Sequence, residues 1–399
     1  MKKLALIVFL TLPLLGYVQK FTLNVQAGTY ERRKCPVSVT LPKSVSPDLE
    51  VILIDQKTKK EVPAQLLSGI NLIFIADSLS ANETRTYELT FSKEKKQMVY
   101  PVVVEMDQNG MLFRSGNKRV LYYHTSEVMP PADSPSYYKR SGFIHPLYSP
   151  NGRILTDDFP AGHAHQHAIF SAWTNTTFKK ESVDFWNQHQ KTGTVKHVEV
   201  MSVKQGPVCA QVTAMLEYVS LVKGVALQEQ WTITVYPFTD YFLFDIASEQ
   251  YNPNDDTLYI NKYHYGGQAF RGSKFWNPDD KVNYKENWKI LTSEGIRDTL
   301  ANATHAKWVD ASGKIQDQIA GVTVFGHPTN YRYPQTIRVH PTMPYWAFSP
   351  MVEAGFTINQ RSYYLSKFRY YAHAGAPDTK IIDRINNDFA EPPVVEVLK

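Results

Sequence analysis

Short runs of alternating apolar and polar residues, each closed by a turn, recur along most of the chain. Phe21-Thr22-Leu23-Asn24-Val25 and Val37-Ser38-Val39-Thr40-Leu41 alternate strictly, and residues 49–54, 72–76 and 86–91 are apolar stretches of similar length. A period of two sends successive side chains to opposite faces, so each run predicts a half-buried strand. The breaks between them carry Pro, Asp-Gln-Lys, Ser-Gly and Ala-Asn-Glu, which are turn formers. Residues 20–97 therefore predict a small N-terminal β-sandwich, with the solvated stretch Lys93-Glu94-Lys95-Lys96 as its boundary. Beyond it the runs lengthen and become more aromatic, at 195–203, 208–219, 227–236, 241–246 and 321–326. Consecutive long strands without intervening helical periodicity predict one large antiparallel β-sandwich over residues 98–399, making the fold class all-β.

The first residues follow another pattern. Lys2 and Lys3 precede an apolar run over residues 4–15, too short for a mature membrane span, which predicts a cleaved signal peptide over 1–19 and export to the periplasm or beyond. Hydrophobic residues make up 43% of the 399 and charged ones 20%, which excludes a disordered chain. The net charge of +5 is dispersed, which argues against nucleic acid as a partner. Cys35 and Cys209 are the only cysteines; in an exported protein they could pair, provided the fold brings them together. No phosphate-binding or dinucleotide glycine motif occurs, so no nucleotide cofactor is expected.

Chemistry concentrates between residues 141 and 190. His163, His165 and His167 lie at period two, and on a strand they would share one face. Three imidazoles so placed could hold a divalent metal ion; equally, one could act as acid or base while another positions a hydroxyl, without metal. The alternative without function is a turn around Asp157 and Asp158 held by these rings. Asp158, Asp184 and Glu229 are the candidate carboxylate partners; Glu229 sits inside an apolar strand, where burial would raise its pKa. Trp186 could stack a sugar ring, with Asn187, His145, His264, Arg271 and Asn330 binding hydroxyl or carboxylate groups. The glycines in Tyr265-Gly266-Gly267 mark a bulge or a close approach.

The run Ser141-Gly-Phe-Ile-His-Pro-Leu-Tyr-Ser-Pro-Asn-Gly, then Asp158-Phe-Pro, His163-Ala-His165, Trp173 and Val183-Asp184-Phe185-Trp186 resemble a family of secreted bacterial proteins of unknown function labelled methane oxygenase. Gly321-Val, His327-Pro328-Thr-Asn330 and Arg369-Tyr370 are similar to it as well, so the resemblance covers roughly residues 100–380. Its members commonly carry His-x-His-His-Arg where this chain has His163-Ala-His165-Gln166-His167. The resemblance implies a companion of polysaccharide-degrading systems; the oxygenase label suits a membrane copper enzyme and not a chain without a mature span. The expectation is an exported carbohydrate-active protein on a small sandwich joined to a galactose-mutarotase-like supersandwich. Its chemistry would be acid–base: hydrolysis, elimination or epimerisation with a carbohydrate ligand. Alternatives are a metal-dependent oxidoreductase using His163, His165 and His167, and a glycan-binding protein without catalysis.

Overall fold

The computed structural model describes residues 20–46, 48–94, 99–285 and 287–398. The predicted signal peptide, and Lys95 and Lys96 of the predicted boundary, lie outside them. The described chain is built from antiparallel sheets, as the alternation requires.

Strands Lys20–Gln26, Glu50–Asp55 and Thr84–Ser92 form one sheet of the small sandwich, and Arg32–Thr40, Ala64–Leu66 and Asn71–Leu79 form the other. Phe21, Leu23 and Val25 point into the shared core opposite Val37, Leu72 and Phe74. The chain's last strand, Val394–Leu398, was expected with the large sandwich, but it pairs antiparallel with Lys20–Gln26 and completes the first sheet. Burial alternates residue by residue along both Val394–Leu398 and the opening strand, as a strand with one face on the core requires.

Two eight-stranded antiparallel sheets enclose the main core. The first runs in space from Ile337–Val339 through Tyr345–Phe348, Gly267–Arg271, Ile169–Ala172, Phe143–Leu147 and Lys118–His124 to Gly110–Ser115 and Val102–Met106. The second contains the long meander Gly193–Gln205, Ala210–Ser220, Gly224–Val235 and Phe242–Tyr251, followed by Tyr363–Ala374, Gln318–Gly326, Trp308–Ile315 and Trp288–Thr292. Burial alternates along the whole of Ala210–Ser220, and Leu227, Glu229, Trp231 and Ile233 face inward from the neighbouring strand. This supersandwich is the predicted architecture.

A helix, Thr379–Ala390, was not foreseen. Asp378 caps it by accepting from the backbone N–H groups of Lys380 and Ile381, and Ile382, Ile385 and Phe389 bury one face. The helix joins the two sandwiches: Arg32 of the small one reaches the Asp388 carboxylate at 3.1 Å and the backbone carbonyls of Asn387 and Glu391. Arg369 of the large one lies over the Phe389 ring while paired twice to Asp245. Cys35 and Cys209 are both buried free thiols. Burial pushes the Cys209 thiol up to about 12, so it behaves as a small apolar side chain.

Candidate active site

The loop over residues 157–168 was expected to hold three histidines on one strand face. It is a pair of turns instead: His163 donates its backbone N–H to the Pro160 carbonyl, and Gln166 donates to that of His163. Gly162 sets the path, with φ +81 and so little room that a Cβ would stand 2.2 Å from Asp279 Oδ2. The rings of His163 and His165 remain neighbours, 5.5 Å apart, whereas His167 turns into the core. Both nitrogens of His167 are engaged, Nδ1 with Asp158 Oδ1 at 2.9 Å and Nε2 with Gln188 Oε1 at 3.0 Å. The pair fastens this loop to the segment over 184–192, so Asp158 and His167 brace the loop, and the three rings of the alternative metal reading do not converge. Among the described residues no group of three His, Cys, Asp or Glu side chains is placed to hold a metal.

His163 and His165 open onto a cavity of about 230 Å³ lined also by Gln166, Trp186, Asn187, His189, His264, Tyr265, Arg338, His340 and Tyr345. The rings form a chain: His163 stands 5.4 Å from His340, and His165 stands 5.9 Å from His189. Arg338 and His340 were missed by sequence reasoning because an edge strand brings them in far along the chain. The available signal was a second His-Pro-Thr, at 340–342, after the one at 327–329.

Asp184 stands beneath the cavity rather than in it. Its carboxylate accepts from the backbone N–H groups of Trp186 and Asn187 and from the side chains of Asn187 and Gln190. Replacing Asp184 with Ala is expected to cost about 2–4 kcal/mol through those stranded donors, read as a lowered urea midpoint. Asn187 Oδ1 in turn accepts from the Tyr265 hydroxyl at 2.8 Å. Trp186 is 1% exposed, packed among Phe170, Tyr265 and Tyr345, so it forms a wall and offers no open face for stacking.

Other candidates lie elsewhere. Glu229 is in the core, accepting from Ser248 Oγ at 2.5 Å and Gln250 Nε2 at 3.0 Å, and burial raises its pKa as expected. Asn330 spans the backbone of Lys367, donating to its carbonyl and accepting from its N–H. Arg271 is fully buried behind the cavity, donating from Nη1 to Gln166 Oε1 at 2.8 Å. Gly266 and Gly267 permit close packing of chain on chain, since a Cβ would meet the Met351 sulfur at 2.3 Å or the Phe348 carbonyl at 2.5 Å. His145 lines a neighbouring cavity of about 380 Å³ with Asp157 and Lys274. Burial lifts the Asp157 carboxyl to about 7, and Arg271 opposes that lift. Asp157 is a third residue that sequence reasoning passed over, in favour of its neighbour Asp158.

The cavity's electrostatics disfavour protonated imidazole. Burial, followed by His163, His167, His189 and Arg271, pushes His165 down to about 3. Burial, then His163 and Arg338, pushes His340 down to about 4. Burial and Arg271 lower His163, and burial and Arg338 lower His264. Because these imidazoles are neutral when folded and take up protons when unfolded, their contribution to stability is present above the ordinary value of 6.5 and is lost as pH falls toward the folded values. The melting temperature should therefore drop between about pH 7 and about pH 5, and a flat profile would contradict this.

Four buried polar atoms of the cavity have no partner within the protein: His163 Nδ1, Trp186 Nε1, Arg338 Nε and Tyr345 Oη. Buried donors and acceptors are normally satisfied, so a cluster of exceptions on one cavity marks where a polar ligand would complete them.

No curated protein matches the chain. Among solved structures it is similar to a protein in the glycosyl hydrolase family 38 from Enterococcus faecalis, with a TM-score of 0.43 and 10% identity over 95% of this chain and 47% of that one. An α-mannosidase from Enterococcus faecalis V583 is similar at a TM-score of 0.43 and 9% identity, over 95% and 46%. The chain thus spans just under half the length of either. A galactose mutarotase related enzyme from Lactobacillus acidophilus is similar at a TM-score of 0.29 and 11% identity, over 68% and 97%. Residues 111–386, which hold all but one strand and the first residue of another in the two large sheets and every side chain lining the imidazole cavity, match the model of a family of unknown function, DUF6807, and the chain belongs to that family.

Proposed function

We propose that the protein is an exported carbohydrate-active enzyme whose imidazole-lined cavity moves protons on one sugar unit, by elimination or epimerisation rather than hydrolysis. The observation that carries this reading is the convergence of five imidazoles, from His163, His165, His189, His264 and His340, on a cavity that also holds four unpartnered polar atoms. A neutral imidazole can take a proton at one nitrogen and give one from the other. In an elimination, one imidazole accepts a proton from a ring carbon. The electrons left behind form the double bond, the neighbouring C–O bond breaks, and the departing oxygen takes a proton from the Tyr345 hydroxyl, which has no partner within the protein. Hydrolysis by the usual carboxylate pair has no support here, because among the described residues no Asp or Glu lines the cavity.

The test is incubation of the protein with a panel of neutral and acidic oligosaccharides, read by mass spectrometry, beside a His163→Ala/His165→Ala variant. Turnover in the native protein and its loss in a variant of unchanged melting temperature is the expected result. Turnover retained by the variant would move the chemistry elsewhere, and glycans bound but returned unchanged would make this a binding protein. Low imidazole pKa values also set a pH limit. With His340 at about 4 and His165 at about 3, the basic forms persist in mild acid, so kcat/KM should hold until pH approaches about 4. A fall centred near the ordinary histidine value would contradict the assignment.

A further inference from the structure

The free hydrogen-bonding capacity of the imidazole cavity is lopsided. Its two side-chain amide oxygens are already engaged: Gln166 Oε1 takes the Arg271 guanidinium, and Asn187 Oδ1 takes the Tyr265 hydroxyl. Two of the four unpartnered atoms are obligate donors. Trp186 Nε1 and Arg338 Nε can only donate, and neither has a partner. His340 joins them, because its Nδ1 accepts from the backbone N–H groups of Thr342 at 3.3 Å and Met343 at 3.2 Å, which leaves the ring proton of the neutral form on Nε2. No carboxylate lines the cavity among the described residues, while Arg338 does and Arg271 lies directly behind it. Stranded donors beside a guanidinium, on a cavity whose lining holds no carboxylate, call for an acceptor that carries negative charge.

We infer that the sugar unit taken by this cavity carries an oxyanion, a carboxylate or a sulfate ester, received by Arg338, Trp186 and His340; this rests on the cavity being the sugar site proposed above. An oxyanion in that position satisfies the stranded donors together. It also offsets the Arg338 charge, so the neighbouring imidazoles become stronger bases only when the correct substrate is present.

Calorimetric titration of the full chain with a uronic-acid disaccharide, its carboxyl-reduced neutral counterpart and a sulfated disaccharide tests this. The native protein should bind one or both anionic sugars at least about tenfold more tightly than the neutral one, and the preferred anion distinguishes carboxylate from sulfate. Arg338→Ala should weaken anion binding by about 10- to 100-fold and neutral binding by several-fold less, whereas Arg338→Lys, which keeps the charge and guards against a folding defect, should recover part of the loss. Equal binding of neutral and anionic sugars, or an Arg338→Ala loss of equal size for both, would overturn the inference and leave the sugar site standing. Failure of all three sugars to bind would overturn the sugar site itself.

Discussion

Glu229→Ala is expected to lower stability by about 3–5 kcal/mol, a drop in melting temperature of roughly 4–6 °C, while Glu229→Gln costs less than about 1 kcal/mol and keeps full activity. The reason lies in the buried network between the large sheets. Glu229 is 0% exposed, and its Oε1 takes Ser248 Oγ and Gln250 Nε2. Gln250 also donates to the Tyr218 hydroxyl and accepts the Trp173 indole N–H, and Tyr218 donates to Ser171. Removing the carboxyl strands Ser248 and Gln250 in a region closed to water. A glutamine keeps an oxygen in the same place, and since burial already favours the uncharged acid, it removes no charge that the fold depends on. Calorimetric melts of both variants with matched turnover measurements check this. Lost activity in a stable Glu229→Gln protein would restore Glu229 as a catalytic carboxylate.

The second large effect is on activity. His165→Ala should reduce turnover by about 10²- to 10⁴-fold, the usual contribution of a positioned acid or base, with the melting temperature essentially kept. His165 sits on a turn, only half-buried, and its ring meets the rings of His163 and His189 rather than core side chains. His167→Ala should do the opposite. It breaks the buried bonds to Asp158 and Gln188, so its primary effect is a stability loss of about 2–4 kcal/mol, with activity falling only as the loop loosens. Two histidines two positions apart thus separate, in one pair of variants, the ring that faces the cavity from the ring that braces it.

That contrast also shows where the sequence is legible. Period-two alternation located the strands of both sandwiches, because each strand has one buried face, as Ala210–Ser220 shows residue by residue. The apolar strand around Glu229 made it a candidate buried carboxylate but left its face open between core and solvent, and the structure places it inward. The same periodicity misled at His163, His165 and His167, because Pro160 and Gly162 turn the backbone and cancel the shared face. Asp184 and Asn330 carry polar side chains for loop bracing, which is chemically indistinguishable in sequence from substrate binding. Arg338 and His340 reach the cavity only through pairing of Ile337–Val339 with Tyr345–Phe348 at one end of the first large sheet, a long-range arrangement that no local pattern encodes. The helix Thr379–Ala390 was overlooked although Asp378 and the Ile382, Ile385, Phe389 spacing signalled it, since twelve residues among so many strands give little periodicity to read.

The most direct test of imidazole proton transfer is turnover in heavy-oxygen water, with the sugar products analysed by mass. Elimination or epimerisation within the imidazole cavity predicts products that contain no solvent oxygen at the reacting bond, together with loss of all product in the His163→Ala/His165→Ala variant. Solvent oxygen incorporated into the product would contradict it, because that requires hydrolysis, for which this cavity supplies no carboxylate pair.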